Sequence, residues 1–357
     1  RVMPDSRTAF FGDDGNHVAF FMYVADTAED LSAGSLYAAR WNQVSGEGGG
    51  AATLDWVKLG HGTDAEVKAI IDSGVTFDDI FDTTTAQATP DWKAQGYKMI
   101  RAGHSGDEIV RLKDGMEQAA AFLESRRMAA YLGATTDFNK MEGVTVDPAK
   151  KNVYLAMSYN EKGMQEEPGA AQDHIRVEKT KAGATYEVAL SGGRFDTNGE
   201  SINSEWVGTA MRVPSALLGE DIPVDALGNI ANPDKVANPD NLFFSDKMRT
   251  LFIGEDSGTH VNNAVWAYNV DTGKLSRIIS QASGAEATGL QVADNIGGHG
   301  YIMANNQHQG EWISSMPEDV VARLEAKAIE MYGTNDRGTP NYKLDAHIGY
   351  LGGMPGL

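Results

Sequence analysis

Short apolar runs separated by turn residues dominate the chain. Near the N-terminus they read TAFFGDD, VAFFMYVAD, SLYAARW and LDWVKLG, with Gly, Asp and Pro between them. Further runs of the same kind are EGVTVDPAKKNVYLAMS, ATYEVAL and SEWVGT. Aromatic and β-branched runs of this length, bounded by turn residues, are typical of β-strands. Helices do not alternate with the strands as they do in parallel α/β folds, so the pattern predicts an all-β protein.

Three stretches show helical periodicity instead. TDAEVKAIIDSG has Thr63 or Asp64 as its N-cap and stops at Gly74. Residues 115–134 form one long amphipathic pattern that closes on Gly133. PEDVVARLEAKAIEMYG begins at Pro317, a residue suited to a first helical turn. We therefore predict one β domain over residues 1–357, with a helical insertion at about 63–135 and a helical segment at about 317–333.

The strand pattern repeats along the chain. Residues 249–272 read RTLFIGEDSGTHVNNAVWAYNVDT, and residues 7–27 read RTAFFGDDGNHVAFFMYVADT. A unit beginning at Glu142 and another at Glu286 follow the same plan. Repeated four-stranded units of about 40–50 residues are typical of a β-propeller. About four such units can be recognised, so we predict an incomplete β-propeller with helical insertions.

The repeat also sets an expectation for the N-terminus. Arg249 follows Asp240 by nine residues, and Arg7 is its counterpart, so the matching acid would lie two residues before Arg1. We therefore expect this chain to be the C-terminal part of a larger protein. The remaining N-terminal part would then be its partner in completing the propeller.

Three acids fall in register when the units are aligned on their second strands. Glu142 lies twelve residues before Tyr154, and Asp240 lies twelve before Phe252. Glu286 has the corresponding place in the last unit. The first strand of each propeller blade borders the central channel, so these three carboxylates are expected to converge. Converging carboxylates repel one another unless a hard cation binds them. The alternative is that each acid accepts backbone N–H bonds at the start of a strand.

Charge and composition exclude several classes of function. Fifty acidic residues against thirty basic ones give a net charge of −20, which repels nucleic acid and anionic membrane surfaces. The chain has no cysteine, so disulfides, zinc–thiolate sites and thiol nucleophiles are excluded. No run of eighteen apolar residues occurs, so no transmembrane segment is predicted.

The longest repeats resemble a known family. KMEGVTVDPAKKNVYLAMS, GAEATGLQ and the run from Asn238 to Ile278 are similar to sequences of the PhoX family of secreted bacterial alkaline phosphatases, as is DLSAGSLYAARW. The resemblance extends from Arg1 to about Glu311. It implies a β-propeller phosphomonoesterase with a small phosphoester substrate, located in the periplasm or secreted, that uses calcium and iron.

The resemblance also assigns roles to individual residues. Glu142, Asp240 and Glu286 correspond to carboxylate metal ligands, and Lys140 corresponds to a basic residue that faces phosphate. The family takes one iron ligand from a cysteine in its N-terminal half, and this chain has no cysteine. The missing N-terminal part could supply that ligand, or this member could lack iron. Ca²⁺ is therefore the expected ion, with Fe³⁺ as the open second one.

Four other residues are weaker candidates for the same site. Asn241 is a possible amide ligand or orienting residue beside Asp240. Glu255 and Asp256 end a second strand, where capping of backbone N–H groups is the first interpretation and metal ligation the second. His308 is expected to be a hydrogen-bonded structural histidine, with a substrate or metal role as the alternative.

Two other functions are compatible with acids around a propeller channel. One is a calcium-dependent lactonase or phosphotriesterase, which a substrate panel would separate from a phosphomonoesterase. The other is a calcium-binding extracellular protein without enzymatic activity. In that case the insertion at about 63–135 would serve as a partner surface.

Overall fold

Antiparallel β-strands are the main regular elements of the protein in a computed structural model, which describes residues 1–103, 106–341 and 346–357. The strands of the first half are β1 Thr8–Phe11, β2 Asn16–Val18, β3 Phe21–Thr27, β4 Asp30–Ser45, β5 Ala51–Thr63, β6 Phe81–Thr84, β7 Lys98–Arg101, β8 Asp107–Leu112, β9 Phe138–Asn139 and β10 Met141–Asp147. Those of the second half are β11 Asn152–Met157, β12 Ala184–Ser191, β13 Val207–Arg212, β14 Pro239–Ser245, β15 Thr250–Glu255, β16 Asn262–Asn269, β17 Lys274–Ser283, β18 Glu286–Ile296, β19 His299–Gln307 and β20 His347–Pro355.

Within the described ranges, five α-helices accompany the strands: α1 Asp64–Asp72, α2 Phe77–Ile80, α3 Glu117–Leu123, α4 Ser125–Leu132 and α5 Glu318–Tyr332. The capping prediction for α1 is confirmed, because the Thr63 side chain accepts from the Glu66 N–H while Glu66 accepts from the Thr63 N–H. Pro317 lies at the cap position immediately before α5. Among the helices that the structure describes, none is long and apolar enough to cross a membrane.

The largest sheet joins two of the repeated units. Its strand order is β1-β3-β4-β5-β13-β12-β11-β10, and its two edge strands approach each other to give a nearly closed barrel. Large side chains such as Phe10, Trp41 and Trp56 fill the interior and are almost completely buried. Burial of one such apolar side chain stabilises the fold by about 1.5–3 kcal/mol.

The other two units form separate antiparallel sheets. Strands β14–β17 make a four-stranded sheet in sequential order, and β18–β20 make a three-stranded sheet. The adjacent pairs from β14 to β17 and the pair β18–β19 are hairpins, as the sequence repeat predicts. Strand β20 joins its sheet after a long connection that contains α5. The arrangement confirms an all-β, propeller-like fold.

The insertion differs from the prediction in two ways. It contains a small antiparallel sheet, β6-β8-β7, in addition to helices. The single helix predicted for residues 115–134 is also wrong, because the backbone leaves helical geometry at Glu124 and divides it into α3 and α4. Ser125 Oγ donates to the Ala121 carbonyl, a local bond that competes with regular helix and bends it.

Glycines allow the first strands of neighbouring units to lie very close together. A Cβ atom on Gly143 of β10 would lie 2.1 Å from the carbonyl oxygen of Asp240 in β14. Two other contacts between units have the same form: Gly12 against the Met141 carbonyl oxygen at 2.2 Å and Gly254 against the Ala287 carbonyl oxygen at 2.0 Å. Only glycine permits such an approach of two backbones.

Candidate metal centre

The first strands of three units bring their leading acids into one region. Strands β10, β14 and β18 pack side by side and begin at or next to Glu142, Asp240 and Glu286. The carboxyl groups of Glu142 and Asp240 are in hydrogen-bonding contact. Asp256 lies close enough to interact through its charge with all three. The structure thus brings Glu142 and Asp240 into contact, and Asp256 lies between that pair and Glu286.

Unusual backbone geometry precedes each of these acids. Lys140, Asn238 and Gly284 each lie two residues before an acid and have left-handed φ angles of 44°, 46° and 67°. Bulges also interrupt strand pairing at Glu142 and at Asp240. Left-handed non-glycine residues cost free energy, and bulges re-aim side chains. The three units therefore share a left-handed residue two positions before the acid, which changes the direction of the acid's side chain relative to a regular strand.

Asp240 and Glu142 are electrostatically coupled. Burial, the hydrogen bond with Glu142 and the charges of Glu142 and Asp256 together raise the pKa of Asp240 to about 8. Burial opposes ionisation of Glu142 as well, but the hydrogen bond from Asp240 and the adjacent Lys140 ammonium leave the pKa of Glu142 lowered. Asp240 Oδ1 is buried, and no donor group of the described residues reaches it. The pair therefore requires a shared proton or a cation.

A second group of possible ligands surrounds Glu286. Ligand atoms of Glu286, His308 and Glu311 all lie within 4.8 Å of one another. His308 Nδ1 is 2.8 Å from Glu311 Oε2 and 3.7 Å from Glu286 Oε1. Burial, followed by repulsion from Asp256 and Glu311, raises the pKa of Glu286 to about 7. This arrangement places His308 beside the carboxylates, whereas the first interpretation of the sequence was a structural histidine.

Lys140 supplies a positive charge within the cluster. Its Nζ atom lies 3.1 Å from Glu142 Oε1 and 3.5 Å from Asp14 Oδ1. Burial opposes protonation, but the charge of Glu142 and its hydrogen bond raise the pKa of Lys140 above its usual range. The ammonium group therefore stays charged through the alkaline range.

Asp256 and Asn241 are held in place by neighbours. Asp256 Oδ1 accepts a bond of 2.6 Å from Trp312 Nε1, and burial raises the pKa of Asp256. Asn241 donates to Asp240 Oδ2 at 2.5 Å and accepts from the Gly289 N–H. Asn241 thereby holds one oxygen of the Asp240 carboxylate in place.

Glu255 has a different environment from its neighbour Asp256. Its side chain is fully buried and bonds to four groups: the backbone N–H groups of Ala237 and Ala264, Trp266 Nε1 and His260 Nδ1. All of these bonds are 2.7–3.0 Å long. The structure does not bring Glu255 into the carboxylate cluster.

Two residues of the cluster were missed from the sequence. Asp14 is the counterpart of Asp256 in the repeat, and its carboxylate approaches Lys140 and Glu142. The repeat alignment contained the signal, because the second acid of each pair, GDD and GED, has the same register. Glu311 lies outside a strand, in irregular structure beyond β19 where no repeat signal exists.

The donor set fits a hard cation. Ligand atoms of Glu286, His308 and Glu311 lie within 4.8 Å of one another and offer two carboxylates and an imidazole. Glu142, Asp240 and Asp256 add further carboxylates, which act on one another through their charges. Calcium prefers such oxygen ligands, and a buried carboxylate oxygen without a donor is the environment it satisfies. The chain contains no thiolate donor.

Comparison with known protein families gives a match over most of the chain. A model of the family described as Alkaline phosphatase PhoX matches residues 2–313. The match includes every residue of the carboxylate cluster. No curated protein matches the chain.

Proposed function

The chain belongs to the PhoX alkaline phosphatase family, and from that premise we propose that it is a metal-dependent phosphomonoesterase. Family membership supports a phosphatase function. The finer proposal is that hydrolysis of small phosphate monoesters takes place at the carboxylate cluster of Glu142, Asp240, Asp256 and Glu286. A periplasmic or secreted location is part of the same proposal and rests on the family.

Calcium is the proposed ion. Glu142, Asp240 and Glu286 would hold it, with Asp256, His308 and Asn241 as further ligands or orienting groups. Bound calcium would offset the charge of the carboxylates and of the phosphoryl oxygens and would lower the pKa of a bound water. An Fe³⁺ ion would find oxygen ligands here but not the cysteine that the family uses.

Lys140 has the role of a phosphate contact in this proposal. Its ammonium group lies within the cluster, and its raised pKa keeps it cationic at alkaline pH. A fixed positive charge favours an approaching dianion and stabilises charge that develops on its oxygens. Asp14 and Glu142 hold this ammonium group in position. Because the protein carries a net charge of −20, such a local positive site is needed to bind an anionic substrate.

One observation carries the proposal. Glu142 and Asp240 are two partly or fully buried carboxyl groups in contact, and one buried oxygen of Asp240 has no donor among the described residues. A site built only for stability would satisfy that oxygen, because an unpaired buried polar atom costs about 1–3 kcal/mol. A cation-binding site explains why this oxygen is left unpaired.

The test is hydrolysis of 4-nitrophenyl phosphate by the full chain with added calcium. We expect turnover that Glu142→Gln reduces at least a hundredfold, together with a lower bound-calcium content. The matched control is Glu178→Gln, which removes one exposed acid far from the cluster in sequence and should change neither quantity. Undiminished turnover in Glu142→Gln would refute the assignment of the site.

A substrate panel separates the rival functions. A lactonase would hydrolyse lactones, and a phosphotriesterase would act on triesters without acting on monoesters. A binding protein without enzymatic activity would hold calcium and turn over none of them. Preference for phosphate monoesters is the outcome expected here.

A further inference from the structure

A cavity opens beside the carboxylate cluster, between the barrel-like sheet and the insertion. Its volume is about 580 Å³. One wall comes from β1 and β3 and includes Phe11 and Phe21, and the other comes from α3 and α4 and includes Leu123 and Arg126. Asp13 also lines the cavity, and the next residue, Asp14, approaches Lys140 Nζ at 3.5 Å. A single residue of backbone therefore separates the cavity from the cluster.

The backbone ties these two places together. The Met141 N–H donates to the Asp13 carbonyl at 3.1 Å, and the Lys140 N–H donates to the Gly15 carbonyl at 2.7 Å. The segment that lines the cavity is thus bonded to the strand that carries Glu142. A phosphate ester whose phosphoryl group contacts Lys140 has this cavity available for the rest of the molecule.

The chemistry of the lining favours an uncharged group. The charged residues around the cavity are already paired: Arg126 with Asp13, and Arg127 with Glu108 and Glu124. Both Arg126 contacts to the Asp13 carboxylate are 2.5 Å long. With these charges compensated, a second anionic group would gain little here. This argues against a polyphosphate chain in the cavity.

Phe11 offers an aromatic surface. Its ring stacks on Phe21 with centroids 5.3 Å apart and an angle of 15° between the planes. Phe21 is buried in the core that joins the sheet to the insertion, whereas 40% of Phe11 is exposed. The buried ring therefore fixes the orientation of the exposed one. An aromatic side chain fixed in this way can stack on a planar ligand without losing further conformational entropy.

We propose that this cavity binds the leaving group of the substrate and that it selects phosphate monoesters of planar, uncharged aromatic alcohols. The inference rests on the proposed function for the position of the phosphoryl group. It gives the insertion a role, because α3 and α4 form one wall of the leaving-group pocket. Phe11 is the residue that determines specificity, through stacking.

Binding without turnover tests the inference directly. The probes are 1-naphthylmethylphosphonate and methylphosphonate, titrated calorimetrically into the calcium-loaded full chain. We expect the naphthyl compound to bind about tenfold more tightly, and Phe11→Ala to reduce that ratio to within twofold. Phe195→Ala is the matched control, because Phe195 is 65% exposed and does not line the cavity, and it should leave the ratio unchanged. Equal binding of the two probes by the wild type, or an unchanged ratio in Phe11→Ala, overturns the proposal.

A second variant guards against misfolding of the first. Leu123→Trp fills the cavity from the insertion side. It should weaken binding of the naphthyl compound about tenfold and leave the affinity for methylphosphonate unchanged. Loss of both ligands in parallel would contradict a leaving-group pocket. Turnover of 1-naphthyl phosphate and of glycerol phosphate is measured alongside. If the naphthyl probe binds selectively but no phosphate ester is hydrolysed, the phosphatase proposal fails and the aromatic pocket stands.

Discussion

Two buried carboxylate sites lie close together in the chain, around Glu255 and around Asp240, and they are built in opposite ways. Glu255 is fully buried, and its two oxygens interact with four donors or partners, including His260. Asp240 is 4% exposed and touches another carboxyl group, and its Oδ1 atom has no donor among the described residues. The Glu255 carboxylate therefore has all its hydrogen-bond partners within the protein, whereas the Asp240 carboxylate lacks a donor for one oxygen.

The difference separates structural acids from ligand-binding acids. Burial would lower the pKa of His260, but Glu255 raises it overall, so that pair is mutually stabilising. At Asp240 the nearest charged neighbour is another acid, Glu142. It raises the pKa of Asp240 and so disfavours the ionised carboxylate, whereas Glu255 favours the ionised form of His260. A buried acid surrounded by donors holds the fold together, whereas buried acids that face one another create a demand for a cation.

Removal of Glu255 should have the largest effect. Glu255→Ala leaves Trp266 Nε1, His260 and two backbone N–H groups without their acceptor. We expect a loss of about 3–5 kcal/mol in the free energy of unfolding, measured by urea denaturation in the absence of metal. A loss below 1 kcal/mol would show that the site is not the structural anchor described here.

Asp240→Asn should affect activity and stability in opposite directions. Phosphatase activity should fall about a hundredfold, equivalent to about 2.7 kcal/mol in transition-state stabilisation. Above about pH 8 the metal-free variant should be as stable as the metal-free wild type or more so, because the repulsion between ionised Asp240 and Glu142 is relieved. Unfolding and turnover are measured on the same preparation. If this variant unfolds as readily as Glu255→Ala, the distinction between the two sites fails.

Removal of calcium should distinguish the sites without any mutation. Calcium at about thirty times its Kd stabilises a protein that binds it only when folded by about 2 kcal/mol. We expect a chelator to lower the free energy of unfolding by that amount in the wild type and in Glu178→Gln. In Asp240→Asn the chelator should change it very little. Thermal unfolding with and without chelator gives the comparison. Equal sensitivity of all three proteins would mean that calcium binds elsewhere.

Lys140→Gln should have the smallest effect of the four. It removes the Lys140 ammonium group and leaves the surrounding acids in place. Activity should therefore fall about tenfold, equivalent to about 1.4 kcal/mol in transition-state stabilisation. We expect KM to rise more than kcat falls, because the ammonium group binds phosphate in both the ground state and the transition state. Steady-state kinetics over a range of substrate concentrations provides both values. An unchanged KM would argue against a phosphate contact.

Much of the strand arrangement and of the acid positions could be predicted from the sequence, because repeated sequence units adopt equivalent structures. The strands alternate clearly, and the register of Glu142, Asp240 and Glu286 required only that equivalent residues occupy equivalent places. Glu255 and Asp256 were harder to separate, since neighbouring residues of a strand point to opposite faces and the sequence does not say which face holds donors. The donors to Glu255 come from three different segments of the chain.

The remaining features depend on tertiary contacts. Glu311 enters the cluster through irregular structure that has no counterpart in the other units. The break between α3 and α4 depends on one hydroxyl group that bonds to the preceding turn. The small sheet β6-β8-β7 was missed because its strands are only four to six residues long and lie between helical patterns.

The glycines between neighbouring units have a consequence for which ions the protein accepts. Gly143 follows Glu142 directly and faces the backbone of Asp240, which would lie 2.1 Å from any added Cβ atom. The gap between these two carboxylates is therefore set by a residue that has no side chain. A methyl group at position 143 would push the two strands apart and separate the carboxylates without changing any ligand residue. In the proposed calcium site, main-chain contact between β10 and β14 would therefore set the width of this gap and the ionic radius that fits it.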